Sequence, residues 1–230
     1  MTAPAAFFAV ANADALAHAA LPSVEELVGN GWEVTSSDSF DKGGDDLDFD
    51  KAVNDHAECA GLSGLTKIGG AFGDNTNEAP AGRAQVEFDN QLQGDIPSSI
   101  EVQIEIQDTV AEVQDGWGIA KQLMEGDAFK SCMLAIIPQA IAAQTEGMQV
   151  EISSRENSAT PPENGFSIAF DMQITVAGTE IAMAMEMYMW PYANASTTVT
   201  VLGSPDSFDA ISVASALHTV ERKLADAAAA

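Results

Sequence analysis

The sequence predicts an α+β fold: an antiparallel β-sheet with helices packed on one face, a long C-terminal β-meander and a terminal helix. Three patterns carry that prediction. Ile100, Val102, Ile104 and Ile106 alternate with Glu101, Gln103, Glu105 and Gln107, the mark of a strand with one face buried and one in water. Two longer alternating runs, 166–176 and 181–189, flank Ala177-Gly178, a two-residue connection of the kind that closes a β-hairpin. From Asp206 to Ala225 the residues Phe208, Ile211, Ala214, Leu217, Val220 and Leu224 recur at helical spacing, which gives one apolar stripe able to cover a sheet.

The remaining elements follow in chain order. Residues 1–20 hold an Ala-rich N-terminal helix, read over Ala5 to Ala20, which Leu21-Pro22 ends. Ser23 caps a short turn containing Glu25 and Glu26, and Gly31-Trp32-Glu33-Val34 begins an extended segment. Residues 36–50, rich in Ser, Asp and Gly, form an acidic loop that buries little apolar surface, and 69–82 form a second loop. A strand covers Ala84 to Leu92, and Ile96-Pro97 separates it from the alternating strand at 100–107. Val110, Val113, Trp117, Ile119 and Leu123 then switch to a helical period over 109–125. Asp127 caps a second helix through Cys132 to Ala143, which Pro138 kinks or divides. The meander, 147–203, opens with Val150 and Ile152 and ends with Val199 and Val201. The 230 residues read as a single domain with one core.

Charge is the most extreme feature. Thirty-five acidic residues against nine Lys and Arg leave a net charge of -26. Such a surface repels phosphate backbones, and no basic cluster overrides it locally, so nucleic acid is excluded as a partner. The apolar runs are shorter than a bilayer requires, so no transmembrane segment is expected, and peripheral association is the only membrane role left open. An acidic, solvating coat is the reading we adopt.

The two cysteines have no C-x-x-C spacing and no nearby His at ligand distance in sequence, which leaves a disulfide between Cys59 and Cys132 or two free thiols. We expect the bond. It would close a long loop, for which chain entropy predicts roughly 4 kcal/mol, and it would imply export to an oxidising compartment. Met1 to Ala20 has no Lys or Arg, so it lacks the basic start of a signal peptide and is read as the first helix of a domain whose export signal has been removed.

Other residues carry candidate chemistry. Met183, Met185, Met187 and Met189 share one strand face, as soft thioether ligands for copper would, although core packing under helices demands the same spacing. Asp46, Asp48 and Asp50, with Asp41 and Asp45, offer oxygen ligands for calcium, but Lys51 and Ala57 stand where an EF-hand loop needs Gly and Glu. His18, His56 and His218 accompany no nucleophile motif. Glu101 and Glu105 project from one strand face and read as its wet side. Asn194-Ala195-Ser196 matches a glycan acceptor or simply a turn. Trp190-Pro191-Tyr192 ends a strand, where Trp190 and Tyr192 serve either partner contact or packing. No cofactor is expected.

The order of landmarks resembles a known group. An Ala-rich helix, Leu21-Pro22, Gly31-Trp32, an acidic loop, Cys59-Ala60-Gly61-Leu62, and a second cysteine within a helix at Phe129-Lys130-Ser131-Cys132 are similar to the secreted, often lipid-anchored actinobacterial domains related to the extracellular sensor domains of mycobacterial receptor kinases. The architecture also resembles the PsbP-like fold. The resemblance implies a sheet-plus-helices domain in an extracytoplasmic place and offers no catalytic residues to carry over. Members often carry two disulfides, whereas this chain has cysteines for one. The expectation is a noncatalytic binding or accessory protein, either a ligand-sensing domain or a subunit docking on a larger envelope assembly. Its partner is expected to be another protein or a small ligand. The alternatives are a hydrolase whose carboxylates lie far apart in sequence and a self-assembling surface or coat protein.

Overall fold

A computed structural model describes residues 8–37, 57–59, 80–90, 98–144, 148–205 and 210–229. Its elements are α1 (Ala13–Ala20), β1 (Trp32–Ser37), β2 (Gly82–Asn90), β3 (Ser98–Ile106), α2 (Val110–Met124), α3 (Asp127–Gln144), β4 (Gln149–Ser154), β5 (Phe166–Val176), β6 (Thr179–Tyr192), β7 (Ala195–Gly203) and α4 (Ala210–Ala228). The N-terminal helix thus begins later than Ala5 in the described residues, after a 3-10 turn at Val10–Asn12. Asp206, the expected cap of the last helix, and the acidic loop from residue 38 onward lie outside them. α3 runs through Pro138 as one helix, so that proline does not divide it.

The strands form one antiparallel seven-stranded sheet in the order β1-β2-β3-β7-β6-β5-β4. Two meanders, β1 to β3 and β4 to β7, are linked by the α2–α3 hairpin, and β7 returns to lie against β3. The expected hairpin at Ala177-Gly178 is present, with φ of 52° and 83°. Both residues are left-handed, as a two-residue turn matching the twist of its strands requires.

Register decides which face each side chain takes. Tyr188 lies opposite Val199, Val199 opposite Val102, and Val102 opposite Val86, so these four line one row of one face. That face packs against α1 and α4, where Ala13, Ala17, Val213, Leu217, Val220 and Leu224 are buried with Ile100, Ile104, Ile106 and Trp190. The small residues of α1 allow close approach: a Cβ added to Gly82 on β2 would collide with the Ala13 and Asp14 backbone.

Residues one step along β6 point the other way. Met185, Met187 and Met189 meet Phe166, Ile168 and Phe170 beneath α2 and α3, together with Trp117, Ala120, Met124, Phe129, Cys132 and Ile136. The α+β class, antiparallel sheet, long meander and terminal helix are as expected from sequence. The helices, however, are shared between two faces instead of packing on one. The reason is β6, whose Tyr188 and Trp190 are apolar on one side and whose methionines are apolar on the other, so both sides need cover.

An ionic clamp ties the chain ends together. Glu26 Oε2 accepts from Lys223 Nζ at 2.8 Å and from Ser23 N at 2.9 Å, while Oε1 accepts from Arg222 Nη2 at 2.9 Å. Partial burial pushes the Glu26 carboxyl upward, but these donors outweigh it and hold the group down at about 2. No described helix is long and apolar enough to cross a membrane.

Candidate functional site

The sheet positions three polar regions, one closed around Glu186, one half-buried on β2 and β3, and one an open cleft beside β4. The closed one centres on Glu186, fully buried on β6. Two residues further along the same strand face stands Tyr188, and the segment following β4 folds over both. Arg155 N donates to Ala169 O at 3.0 Å, which continues the pairing of β4 with β5 and brings Ser158 above the carboxylate. Ser158 N donates to both Glu186 oxygens at 3.0 and 3.1 Å, and Ser158 Oγ donates to Oε2 at 2.6 Å. Tyr188 Oη donates to Oε2 at 2.5 Å and accepts from Ala159 N at 3.1 Å. Arg155 Nε lies 3.7 Å from Glu186 Oε1, and Arg155 Nη1 lies 3.3 Å from Asp171 Oδ1.

Burial, followed by the hydrogen bond to Glu186, raises the Tyr188 phenol above its ordinary range. The phenol therefore stays a donor. A carboxylate surrounded by donors on every side is a fastening of the 155–164 segment to the sheet, with no face left to meet a reactant. Nothing in the local sequence announces this cluster except an acidic residue within the apolar run from Ile181 to Tyr192.

The half-buried region lies on the α2/α3 face, on strands that contribute nothing to the α2/α3 core. There β2 and β3 present Arg83, Gln85, Glu101, Gln103 and Glu105, all opposite the buried row of the same strands. Arg83 Nε donates to Glu105 Oε1 at 3.0 Å, and Gln103 Nε2 donates to Glu101 Oε1 at 2.8 Å, with Gln85 Nε2 donating to the same oxygen. Glu101 and Glu105 are thus a hydrogen-bonded outer row, as the alternation predicts.

The open region is a shallow cleft of about 210 Å³ at the far end of the sheet, lined by Glu151 and Ser153 of β4, Asp171 and Gln173 of β5, Ala182 of β6, and Pro205. Small side chains form its floor and carboxylates its walls. It adjoins the Glu186 cluster through Asp171, which Arg155 links to both.

The other candidate residues are placed as follows. Cys59 and Cys132 are bonded, with Cα atoms 4.7 Å apart, and both are buried in the α2/α3 core. Met185 and Met187 pack against that same core, and Met183 stands opposite Met172. Asp46, Asp48, Asp50 and His56 fall outside the described residues. Among the described residues no group of three or more His, Cys, Asp and Glu is placed to hold a metal ion.

Of the two readings open for this strand end, contact or packing, Trp190 takes the packing one at 1% exposed; Tyr192 is partly buried against Phe8 in an edge-on ring contact with centroids 6.2 Å apart. The tight turn at Ala193-Asn194 drives this aromatic strand end into the core. His18 and His218 are exposed, and His18 Nδ1 lies 2.8 Å from Asp14 O. Asn194 is also buried and cannot carry a glycan in this fold: its Oδ1 accepts from Phe8 N at 2.7 Å, and its Nδ2 donates to Phe8 O and Gln107 O at 3.1 and 2.7 Å.

No family model and no curated protein matches the chain. A solved structure that does match is the extracellular domain of PknH from Mycobacterium tuberculosis, with a TM-score of 0.45 and 10% identity over 94% of this chain and 96% of that one.

Proposed function

We propose that the chain is a noncatalytic binding or accessory domain working outside the cytoplasm, where it senses a ligand or docks on a larger envelope assembly. The observation that carries this reading is the contrast between its carboxylates. The one buried at the centre of a donor cluster, Glu186, is used up in holding the fold. Those in the cleft beside β4, where Glu151 is exposed, line an open polar area suited to recognition, while Glu101 and Glu105 on β3 are half-buried and hydrogen-bonded within the sheet. The buried Cys59–Cys132 bond supports the location, since such bonds persist in oxidising compartments.

Two measurements on intact source cells test the reading together. Thiol trapping before lysis is expected to find neither cysteine alkylated without prior reduction, and cross-linking is expected to join the protein to one stoichiometric envelope partner. Two freely alkylated thiols would remove the location. Turnover of an ester, glycoside, phosphoester or peptide substrate by the purified chain, abolished by a change at one carboxylate, would replace the binding role with a catalytic one.

A further inference from the structure

We propose that the outer edge of β4, together with the acidic cleft beside it, is a docking strip for an extended basic segment of another protein. This names the partner chemistry of the binding role above and rests on that reading.

The two edges of the sheet differ. At β1 the register with β2 shifts between Val34 and Ser36, and an irregularity of that kind bends an edge away from further pairing. At β4 the register with β5 runs without a break from Gln149 to Ser154. That strand has no proline or lysine, the residues that commonly guard an edge, and Gln149, Glu151, Ser153 and Ser154 are exposed along it. β4 ends the sheet among the described residues, which makes it an edge of the kind that strand addition uses.

Charge selects the occupant. Glu151 and Ser153 lie on the same face as Gln173 and Asp171, their partners on β5. Glu180 joins the row, accepting from Gln173 Nε2 at 3.2 Å. Arg155 neutralises part of Asp171 from the inner side, which leaves Glu151 and Glu180 facing outward. Side chains of an added strand on that face would stand beside Glu151 and Ser153, with long basic ones able to reach across toward Gln173 and Asp171 on β5. Lysine or arginine there meets carboxylates at close range. A second copy of the chain would instead set Glu151 near its own counterpart, at a net charge of -26 on each molecule. An acidic edge thus admits a basic strand and rejects itself.

The test uses the full chain and a fluorescein-labelled peptide of about ten residues alternating Lys and Thr, long enough to span one strand. Two control peptides replace Lys by Glu or two central Thr by Pro. Anisotropy is read at about 0.05 M salt, where screening is weak, and amide exchange of residues 149–154 is followed with and without peptide. Saturable binding of the Lys-Thr peptide alone is expected, with slowed exchange along β4 and a loss of affinity of about tenfold or more in Glu151→Lys. Absence of binding, or equal binding of the proline peptide, overturns the proposal, the latter as mere adhesion to an acidic surface. Unchanged β4 exchange also overturns it, as does β4 protection that rises with protein concentration alone, which would assign the edge to a second copy. An envelope partner cross-linked to a face remote from β4 would defeat the docking strip while leaving the binding role intact. If no envelope partner exists, the binding role falls by itself, and the peptide result still decides the chemistry of the edge.

Discussion

Beneath α1 and α4 the described core is built of branched, aromatic and small side chains without sulfur, whereas beneath α2 and α3 methionines and the disulfide pack among Phe166, Ile168, Phe170, Trp117 and Phe129. The first core holds Ile100, Val102, Ile104, Ile106, Val199 and Phe88, all at 0–1% exposure. The second holds the Cys59–Cys132 bond, Met124 and Met189, with Met133, Met185 and Met187 partly buried around them. β-branched side chains have few rotamers and define a tight interface, while methionine fits irregular space and tolerates change. The methionines make this cover the more adaptable of the two, and the Cys59–Cys132 bond ties its helix α3 to the 57–59 turn within the same core. The staple therefore belongs to the softer of the two interfaces.

Substitutions on either side of the sheet probe that contrast. The largest effect is expected from Glu186→Ala, which strands Arg155, Ser158 N and the Tyr188 hydroxyl without their common acceptor. Urea unfolding should show a loss of about 3–5 kcal/mol, and a loss under about 1 kcal/mol would mean that the cluster is solvated and does not fasten the segment. Cys59→Ala combined with Cys132→Ala should lower stability by about 2–4 kcal/mol in the same measurement, because the unfolded chain regains the freedom of a long loop.

Ile104→Ala in the tightly packed core should cost about 2–5 kcal/mol, and Met187→Leu in the sulfur-rich core less than about 1.5 kcal/mol. Equal costs would erase the distinction between the two interfaces. The smallest effect belongs to the Glu26 clamp. Its folded carboxyl is held at about 2, below the ordinary value of 4.5, so its contribution is complete above that ordinary value and is lost as pH falls toward 2. Glu26 and its partners are partly exposed, so Glu26→Gln should cost on the order of 1 kcal/mol at neutral pH. The penalty should vanish at the acid end of that window, where a persistent difference would deny the ionic origin.

Much of this arrangement is legible in the amino-acid pattern. Alternation locates β3 and β7, whose second phase is polar, because a face that is not packed leaves period two in the sequence, and the run of β-formers around Ala177-Gly178 locates β5 and β6. The same periodicity does not separate the two covers. Met183 to Met189 and the intervening Tyr188 and Trp190 are apolar on both phases of β6, and two-sided burial has no periodic mark that names the covering helix. Counting cysteines leaves a disulfide or two free thiols, and the fold brings the two into bonding distance. The Glu186 cluster is not legible in the pattern, since apart from Tyr188 its donors come from a segment with no regular structure, 28 residues or more from the acceptor. Trp190 is ambiguous in sequence because an aromatic at a strand end serves a surface or a core equally well until the turn at Ala193-Asn194 fixes its direction.

Amide hydrogen exchange of the full chain, compared before and after reduction under otherwise native conditions, probes the division into two interfaces at its root. Reduction is expected to speed exchange in α2, α3 and the β4–β5 pair while β2, β3, β7 and α4 keep their protection. Acceleration spread evenly over both faces, or none at all, would contradict it.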